Sequence, residues 1–417
     1  MGRRTLGGLR EWVAVAGVLA IVAGGAADGA AASSSAEVQV DAAAQVAAVE
    51  AVLERRATAV LEHDEDQFLA DIDPYNKNLR ASQKVLFENL VQFGFSKLAY
   101  RQGEAQYDQA LLDKYGPTAY LVGGVMDYQI DGIDELPAQT PVGYTFVKRA
   151  GRYVLVDDSY LDTDQPDSPN QEAWDTGPVL VQRGPRTLVV VEPGRTEVAK
   201  TILADAQVAL KAVNRWWLPD WKGGALVIAL DDTKVRSTDF KGPVWNDTAA
   251  VATPVRRADA GFGGSYVVLN PRDRGQIDAR SLAHEFTHVA TAPDGPSAPF
   301  WLVEGMAEYV RGMPMAGEPA VDLAKYRKLV RSRYLDKAKA LPTDKQFLGP
   351  TKEGSYAIGW YAVDYLVRKY GLNQIVGLHQ EMAWQLNSQG RRDTIMTAQL
   401  GRTEAQIFAE LKASRGS

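Results

Sequence analysis

Apolar residues recur at helical spacing near the start of the chain. Val46, Val49, Leu53, Ala57, Val60 and Leu61 form one stripe within residues 38–63 and predict a first helix. Gln67-Phe68-Leu69 opens a short second helix that Asp73-Pro74 stops, and 79–93 reads as a third. The period then changes. Runs rich in β-branched and aromatic residues, separated by Gly-rich or Asp-rich turns, predict strands at 95–101, 118–130, 142–148 and 153–157. The stretch 162–178 is rich in Asp, Pro, Ser and Gly and reads as a linker. Beyond it the pattern predicts a strand at 187–191, a helix at 196–217 and a strand at 225–230. An irregular Gly/Pro/Asp stretch comes next, then a strand at 265–269 that Asn270-Pro271 ends. Asp278 suits the N-cap of the next helix. From Pro299 the chain reads mostly helical, and Thr403-x-x-Gln406 has the form of a capping box for the last helix.

These elements predict an α+β protein in two parts. An accessory domain over 37–162 has helices first and a β meander after them. A linker at 163–178 leads to a second domain over 179–417, a small mixed sheet with a motif-bearing helix and then a mostly helical lobe. The element order of the first part resembles the cone-like nuclear-transport-factor-two-like fold. That fold hosts enzymes and plain binding modules alike, so it implies no function.

Composition narrows the choices. The chain has 417 residues, 46% hydrophobic and 24% charged, which is ordinary for globular domains. Its net charge is −6 and no basic run follows the N-terminus, so nucleic acid is not an expected partner. It has no cysteine, which excludes disulfides, thiolate zinc sites and a lipid-anchored cysteine. Arg3, Arg4 and Arg10, an apolar run over 12–27 and Ala30-Ala31-Ala32-Ser33 have the form of a signal peptide over 1–32. Residues 33–36 read as a short linker. The expectation is an exported protein, secreted or associated with the cell envelope, held to a membrane only if that segment stays uncleaved. The sequence does not fix an oligomeric state.

The chemistry concentrates at His284-Glu285-Phe286-Thr287-His288. Only four histidines occur in the chain and two are here, one helical turn apart. Both imidazoles can leave one helix face and meet one metal ion, while Leu282, Phe286 and Val289 lie almost opposite. Glu285 sits beside the histidines, off the apolar face. A carboxylate there can reach a metal-bound water without being a ligand, as a general base must. A catalytic zinc takes three protein ligands and keeps one position open. The segment Trp301-Leu302-Val303-Glu304-Gly305-Met306-Ala307-Glu308-Tyr309 offers the third. Glu304 and Glu308 share one helical face, and the Pro- and Gly-containing connection 291–298 can turn the chain back, with Pro299 suited to the new helix's first turn. By spacing, either carboxylate could be the ligand.

An HExxH sequence followed after fifteen residues by Glu304 within W-L-x-E-G-x-A-E-Y resembles the gluzincin metallopeptidases. The match is to the peptidase-MA-like group, related to zinc aminopeptidases and thermolysin. It covers roughly 180–417, with its core at 284–309, and implies a zincin-like fold. By the resemblance, His284, His288 and Glu304 hold Zn2+, Glu285 is the general base and Glu308 orients His284. Tyr356-Ala357-Ile358-Gly359 resembles the Y-x-x-G segment of zinc aminopeptidases, whose tyrosine donates a hydrogen bond to the oxyanion; Tyr356 takes that role by analogy. The implied substrate is a peptide or protein. The chain lacks a G-x-M-E-N element. Gly261-Phe262-Gly263-Gly264 and the strand 265–269 stand in its place, and that strand is expected to edge the cleft, where it can pair with an extended peptide.

His63 and His379 sit among polar residues and are expected at the surface. Trp216, Trp217 and Trp221 are expected as core or interdomain contacts. The acidic stretch 157–167 lacks a calcium-loop pattern. Two other functions fit the same residues. One is a peptidase-like scaffold without turnover. The other is a zinc hydrolase of a non-peptide amide or ester.

Overall fold

The helical stripe near the start of the sequence lies in α1 (Gly29–Glu62), which begins inside the expected targeting segment and runs through the expected linker at 33–36. The structure is a computed structural model. It describes residues 29–106, 109–159, 172–218, 220–231, 249–257, 262–384 and 388–414. Residues 1–28 of the expected signal peptide, most of the linker at 163–178 and Gly261 lie outside those residues. By compactness the chain divides into Met1–Ala47 and Ala48–Ser417. The described part of the first unit is the beginning of α1, and the second unit holds all other elements.

Of the expected stripe of α1, Val49, Leu53, Ala57 and Val60 are buried, joined by Val52, while Val46 and Leu61 at its two ends are exposed. Polar side chains cap the next two helices. Asp64 accepts from Gln67 N to start α2 (Glu65–Leu69), and Asn76 accepts from Leu79 N to start α3 (Lys77–Phe93). Gly94, at φ +62°, ends α3 in a left-handed turn that favours glycine. Four antiparallel strands come next, in sequence order: β1 (Phe95–Gln106), β2 (Tyr120–Ile130), β3 (Ala138–Arg149) and β4 (Arg152–Asp157). A helix not evident in the sequence pattern, α4 (Gln109–Tyr115), lies between β1 and β2.

At the described end of the expected linker, residues 172–174 are buried, while Asp175 and Pro178 are exposed. Trp174 is buried and meets Phe93, Phe95 and Tyr128 edge-on, with ring centroids 5.0, 5.7 and 5.3 Å away. Asn89 on α3 secures the same stretch, donating to the carbonyls of Trp174 (2.8 Å) and Gly177 (2.7 Å).

The second sheet is mixed and has five strands: β5 (Leu180–Gly184), β6 (Thr187–Val191), β7 (Ala225–Ile228), β8 (Ala250–Arg256) and β9 (Phe262–Leu269), in the order β5-β6-β7-β9-β8. The pairs β6–β7 and β7–β9 are parallel, and the outer pairs are antiparallel. Its central strands are apolar on both faces because both faces are covered. Leu188, Val190, Leu226, Ile228, Tyr266 and Val268 join the core of α1–α3 and the first sheet. Their alternates Val189, Val191, Ala225, Val227, Val267 and Leu269 join a helical core on the other side. The second sheet is thus the middle layer of three.

The strand expected at 265–269 is interior, because β9 pairs with β7 on one side and β8 on the other. Among the described residues the edge belongs to β8, which lies in a stretch with an irregular sequence pattern. Proline at position 254 explains both facts. Asn270 N donates to Ala249 O, so in this antiparallel register 249, 251, 253 and 255 bond to β9 while 250, 252 and 254 face outward. A residue without an N–H is accommodated at an outward-facing edge position.

Helices fill the rest: α5 (Thr196–Trp216), α6 (Ala279–Thr291), α7 (Phe300–Gly312), α8 (Leu323–Arg333), α9 (Asp344–Phe347), α10 (Lys352–Tyr370), α11 (Leu372–Ala383), α12 (Gln389–Leu400) and α13 (Glu404–Ala413). The capping box expected at Thr403 and Gln406 is present. Trp217 and Trp221 are buried in the helical core, and Trp216 donates to Pro314 O. Among the described residues no helix is long and apolar enough to cross a membrane.

Candidate metal centre

The HExxH segment lies on α6, whose N-cap Asp278 accepts from Ser281 N at 2.8 Å. Leu282, Phe286 and Val289 are buried on one face. This fixes the helix's rotation and turns His284 and His288 to the other side. The chain then reverses through a short 3-10 turn (Ala292–Asp294) and Gly295, whose φ is +115°. A Cβ on Gly295 would meet Ala383 O at 2.6 Å, so the loop passes close against the end of α11. His379 on α11 secures the same loop. It is 3% exposed, and its Nδ1 lies 3.3 Å from Asp294 Oδ2. The surface position expected for His379 is therefore wrong. Its partner is 85 residues away in sequence, and its polar neighbours gave no sign of it. His63 is exposed as expected.

Pro299 caps the returning helix α7 rather than entering its first turn, and Asp344 Oδ1 accepts from Phe300 N at 2.9 Å. Leu302, Met306 and Tyr309 are buried. Glu304 and Glu308 consequently face α6. Gly305, next to Glu304, is where α7 crosses α10: a Cβ there would lie 2.5 Å from Gly359 O, and one on Gly359 would lie 2.9 Å from Trp301 O. The glycines of the two short motifs face each other and let the two backbones touch.

Three donor atoms converge. His284 Nε2 and His288 Nε2 are 3.3 Å apart, and Glu304 Oε2 lies 3.4 and 3.5 Å from them. Among the described residues these three form the metal-compatible cluster. Two tests bear on whether a metal fits. Zinc–nitrogen bonds of roughly 2.0–2.1 Å in tetrahedral geometry require donors roughly 3.3 Å apart, the spacing found here. Glu304 Oε2 is also buried without a hydrogen-bond partner although it faces two ring nitrogens. A dication satisfies all three donors together, whereas a proton bridges only two. The donor set, two imidazoles and a carboxylate, suits zinc.

Glu308 takes a different place. Its Oε1 lies 3.0 Å from Nδ1 of His284, the nitrogen turned away from the cluster. The contact is short enough for an ion pair but off the line of a straight hydrogen bond. Arg311 Nη1 donates to the same oxygen at 3.2 Å. Spacing alone makes Glu304 and Glu308 alternative ligands, and the structure brings only Glu304 to the shared point.

The charges respond accordingly. Burial favours the neutral ring of His284, but the carboxylates of Glu304 and Glu308 outweigh it and hold this imidazole well above its ordinary range. Burial likewise opposes ionisation of Glu304, yet His288 and His284 hold it far below the usual carboxylate range. Glu308 is lowered too, by His284 and Arg311 against burial. The centre draws positive charge.

Glu285 is not a donor to the cluster. Burial pushes its carboxyl above the usual range, opposed by His284 and His288. Its Oε2 accepts from the backbone N–H of Ala252 on β8 at 2.9 Å. Tyr356, on α10, has its ring centroid 6.4 Å from that of His284 and packs edge-on against Phe347 at 5.2 Å. Burial raises its phenol well above the ordinary range, with help from the negative charges of Glu304, Glu285 and Glu308. Ala252, Asp294, His379 and the Gly305–Gly359 contact were missed by sequence reasoning. Only the glycines gave a local signal, as small residues on helices next to functional ones.

No family model and no curated protein matches the chain. Among solved structures, the chain is similar to a crystal structure of a two-domain M1 zinc metallopeptidase mutant bound to L-tryptophan. The identity is 14% and the TM-score 0.29, over 71% of this chain and 61% of that one. The chain thus spans about three-fifths of that structure's length. A likeness of this size carries no argument about activity.

Proposed function

We propose that the chain is an exported zinc-dependent peptidase, with the site on 179–417 and an accessory domain over 37–162. The observation that carries the reading is the triangle of His284, His288 and Glu304 donors at 3.3–3.5 Å with Glu285 on the same helix. Zinc held there supplies Lewis acidity, polarising a carbonyl and acidifying water. Glu285 takes the proton of the attacking water and delivers it to the leaving amine. Its raised affinity for a proton suits a group that must accept one and give it back. Tyr356, a neutral phenol by its surroundings, donates a hydrogen bond to the oxygen on which negative charge develops. Glu308 holds His284 by its far nitrogen and so fixes the direction of the near one.

The carbonyls of 250, 252 and 254 point outward from β8 beside Glu285 and can accept from the N–H groups of an extended chain laid along it, which supports a peptide as substrate. The basic and apolar N-terminal pattern supports export.

The test is metal content with cleavage of a mixed peptide library. Wild type is expected to carry about one zinc per chain, the content of a single catalytic site. Glu285→Gln is expected to keep that zinc and lose hydrolysis. Wild type without metal after zinc-replete expression would overturn the reading. Zinc bound without cleavage would favour the scaffold.

A further inference from the structure

We infer that the edge strand β8 orients the proposed base: the outward N–H of Ala252 holds one oxygen of Glu285 and aims the other at the three-donor centre. The inference rests on the reading of Glu285 as the base and extends it to a residue on another element.

The register makes the contact. Residues 250, 252 and 254 face away from β9, so the N–H of Ala252 has no ladder partner. It donates instead to Glu285 Oε2 at 2.9 Å. Position 254 is proline and offers no N–H to compete for the carboxylate. The strand itself is held from both sides. Val255 is buried and Val251 half-buried in the core shared with the first sheet, while Ala250 and Ala252 pack on the helical core. The donor therefore sits on a fixed backbone, and the acceptor sits at the end of a side chain with three rotatable bonds. One charge-assisted bond from fixed backbone to mobile carboxylate removes most of that freedom. A carboxylate anchored through one oxygen keeps lone pairs on the other for a proton. This also gives the first sheet a part in the site, since its core packs behind the strand that holds the base.

Two measurements decide it. The first is residue-resolved amide hydrogen exchange, which needs no substrate. Ala252 is expected to exchange as slowly as its ladder-bonded neighbours Val251 and Thr253, although its N–H points away from β9. Glu285→Ala is expected to speed exchange at Ala252 by about 10- to 100-fold, the worth of a hydrogen bond to a charged group, and to leave Val251 and Thr253 unchanged. Fast exchange at Ala252 in the wild type would overturn the inference. The second is Ala252→Pro beside Ala252→Gly. Proline is accommodated at this outward position as it is at 254 and removes only the N–H. It is expected to lower kcat on the best-cleaved library peptide by about 10- to 100-fold with KM and zinc content unchanged. The glycine variant keeps the N–H and is expected to lose far less kcat than the proline variant. A proline variant with wild-type kcat would refute the positioning role. If that variant does not fold, the exchange measurement decides alone. A wild type that cleaves nothing while Glu285 protects Ala252 would uphold the orientation and overturn the peptidase reading.

Discussion

Tyr128 on β2 and Tyr266 on β9 share a hydrogen bond between their phenolic oxygens, deep in the core between the two sheets. Each belongs to a different half of the expected two-part chain. Around them Leu188, Val190, Leu226 and Ile228 of the second sheet pack into the same core as α1–α3. Two halves that share one core unfold together. Urea denaturation of the full chain is expected to show one transition. Tyr128→Phe and Tyr266→Phe should each cost about 1 kcal/mol, and the double variant less than their sum, because both remove one bond. Two separated transitions would contradict the shared core.

Metal binding separates the two carboxylates of α7. Glu304→Ala leaves only two donors and is expected to lose stoichiometric zinc. Glu308→Gln keeps the three donors and removes a charge behind His284, so zinc affinity should fall by about 10- to 100-fold. Competition with a chromogenic chelator measures both. The reverse result would make Glu308 the ligand.

Tyr356→Phe removes one hydroxyl and little else. The expectation is a fall in kcat of about 100-fold or more, with zinc content unchanged and KM within a few-fold. A variant with wild-type kcat would leave Tyr356 a packing residue against Phe347.

Gly305→Ala tests the contact that places Glu304. The added methyl would meet Gly359 O at 2.5 Å, and backbone on both sides leaves no flexible group to yield. The expected cost is about 1–3 kcal/mol of stability, with weaker zinc binding because Glu304 is the adjacent residue. Gly377→Ala, in the middle of α11 with nothing within 4 Å, is the control. There the same change should be neutral or stabilising by about 0.5–1 kcal/mol.

Asp134 carries a dependence on pH remote from the metal centre. Burial, with the charge of Glu172, raises its carboxyl to about 7 against the donation from Ile130 N. An unfolded Asp titrates near ~3.9. Between those values the folded chain retains a proton that the unfolded chain has released, so stability falls as pH rises from ~4 to ~7 and then levels off. Asp134→Asn keeps an acceptor for Ile130 N and loses the titration. It is expected to match wild type at pH ~4 and to exceed it at pH ~8 by on the order of a few kcal/mol. Urea midpoints at the two pH values check the sign.

What could be read from the sequence was local. His284 and His288 are one turn apart on a helix whose apolar face is written in the same thirteen residues, so their convergence follows from periodicity alone. Glu304 needed only a helix, a breaker and a returning helix. The choice between Glu304 and Glu308 depended on how α6 and α7 rotate against each other, which Leu282, Phe286, Leu302 and Met306 settle by packing. Strand pairing was not legible. Position 254 as proline made β8 look irregular, and the neighbouring run looked like an edge when it is interior. Trp174 and His379 were misplaced for one reason: polar sequence neighbours suggest exposure, while the partners that bury them, Phe93 and Asp294, lie 81 and 85 residues away.

Proline at position 254 has a consequence for how copies of this chain behave when crowded together. An open strand edge invites a second copy to extend the sheet, the route by which many β proteins precipitate or form fibres. Along β8 the outward donor at 252 is already engaged by Glu285 and the one at 254 does not exist. A neighbouring strand would find carbonyls at two successive sites and no hydrogen to meet its own, so growth of the sheet stops at this edge.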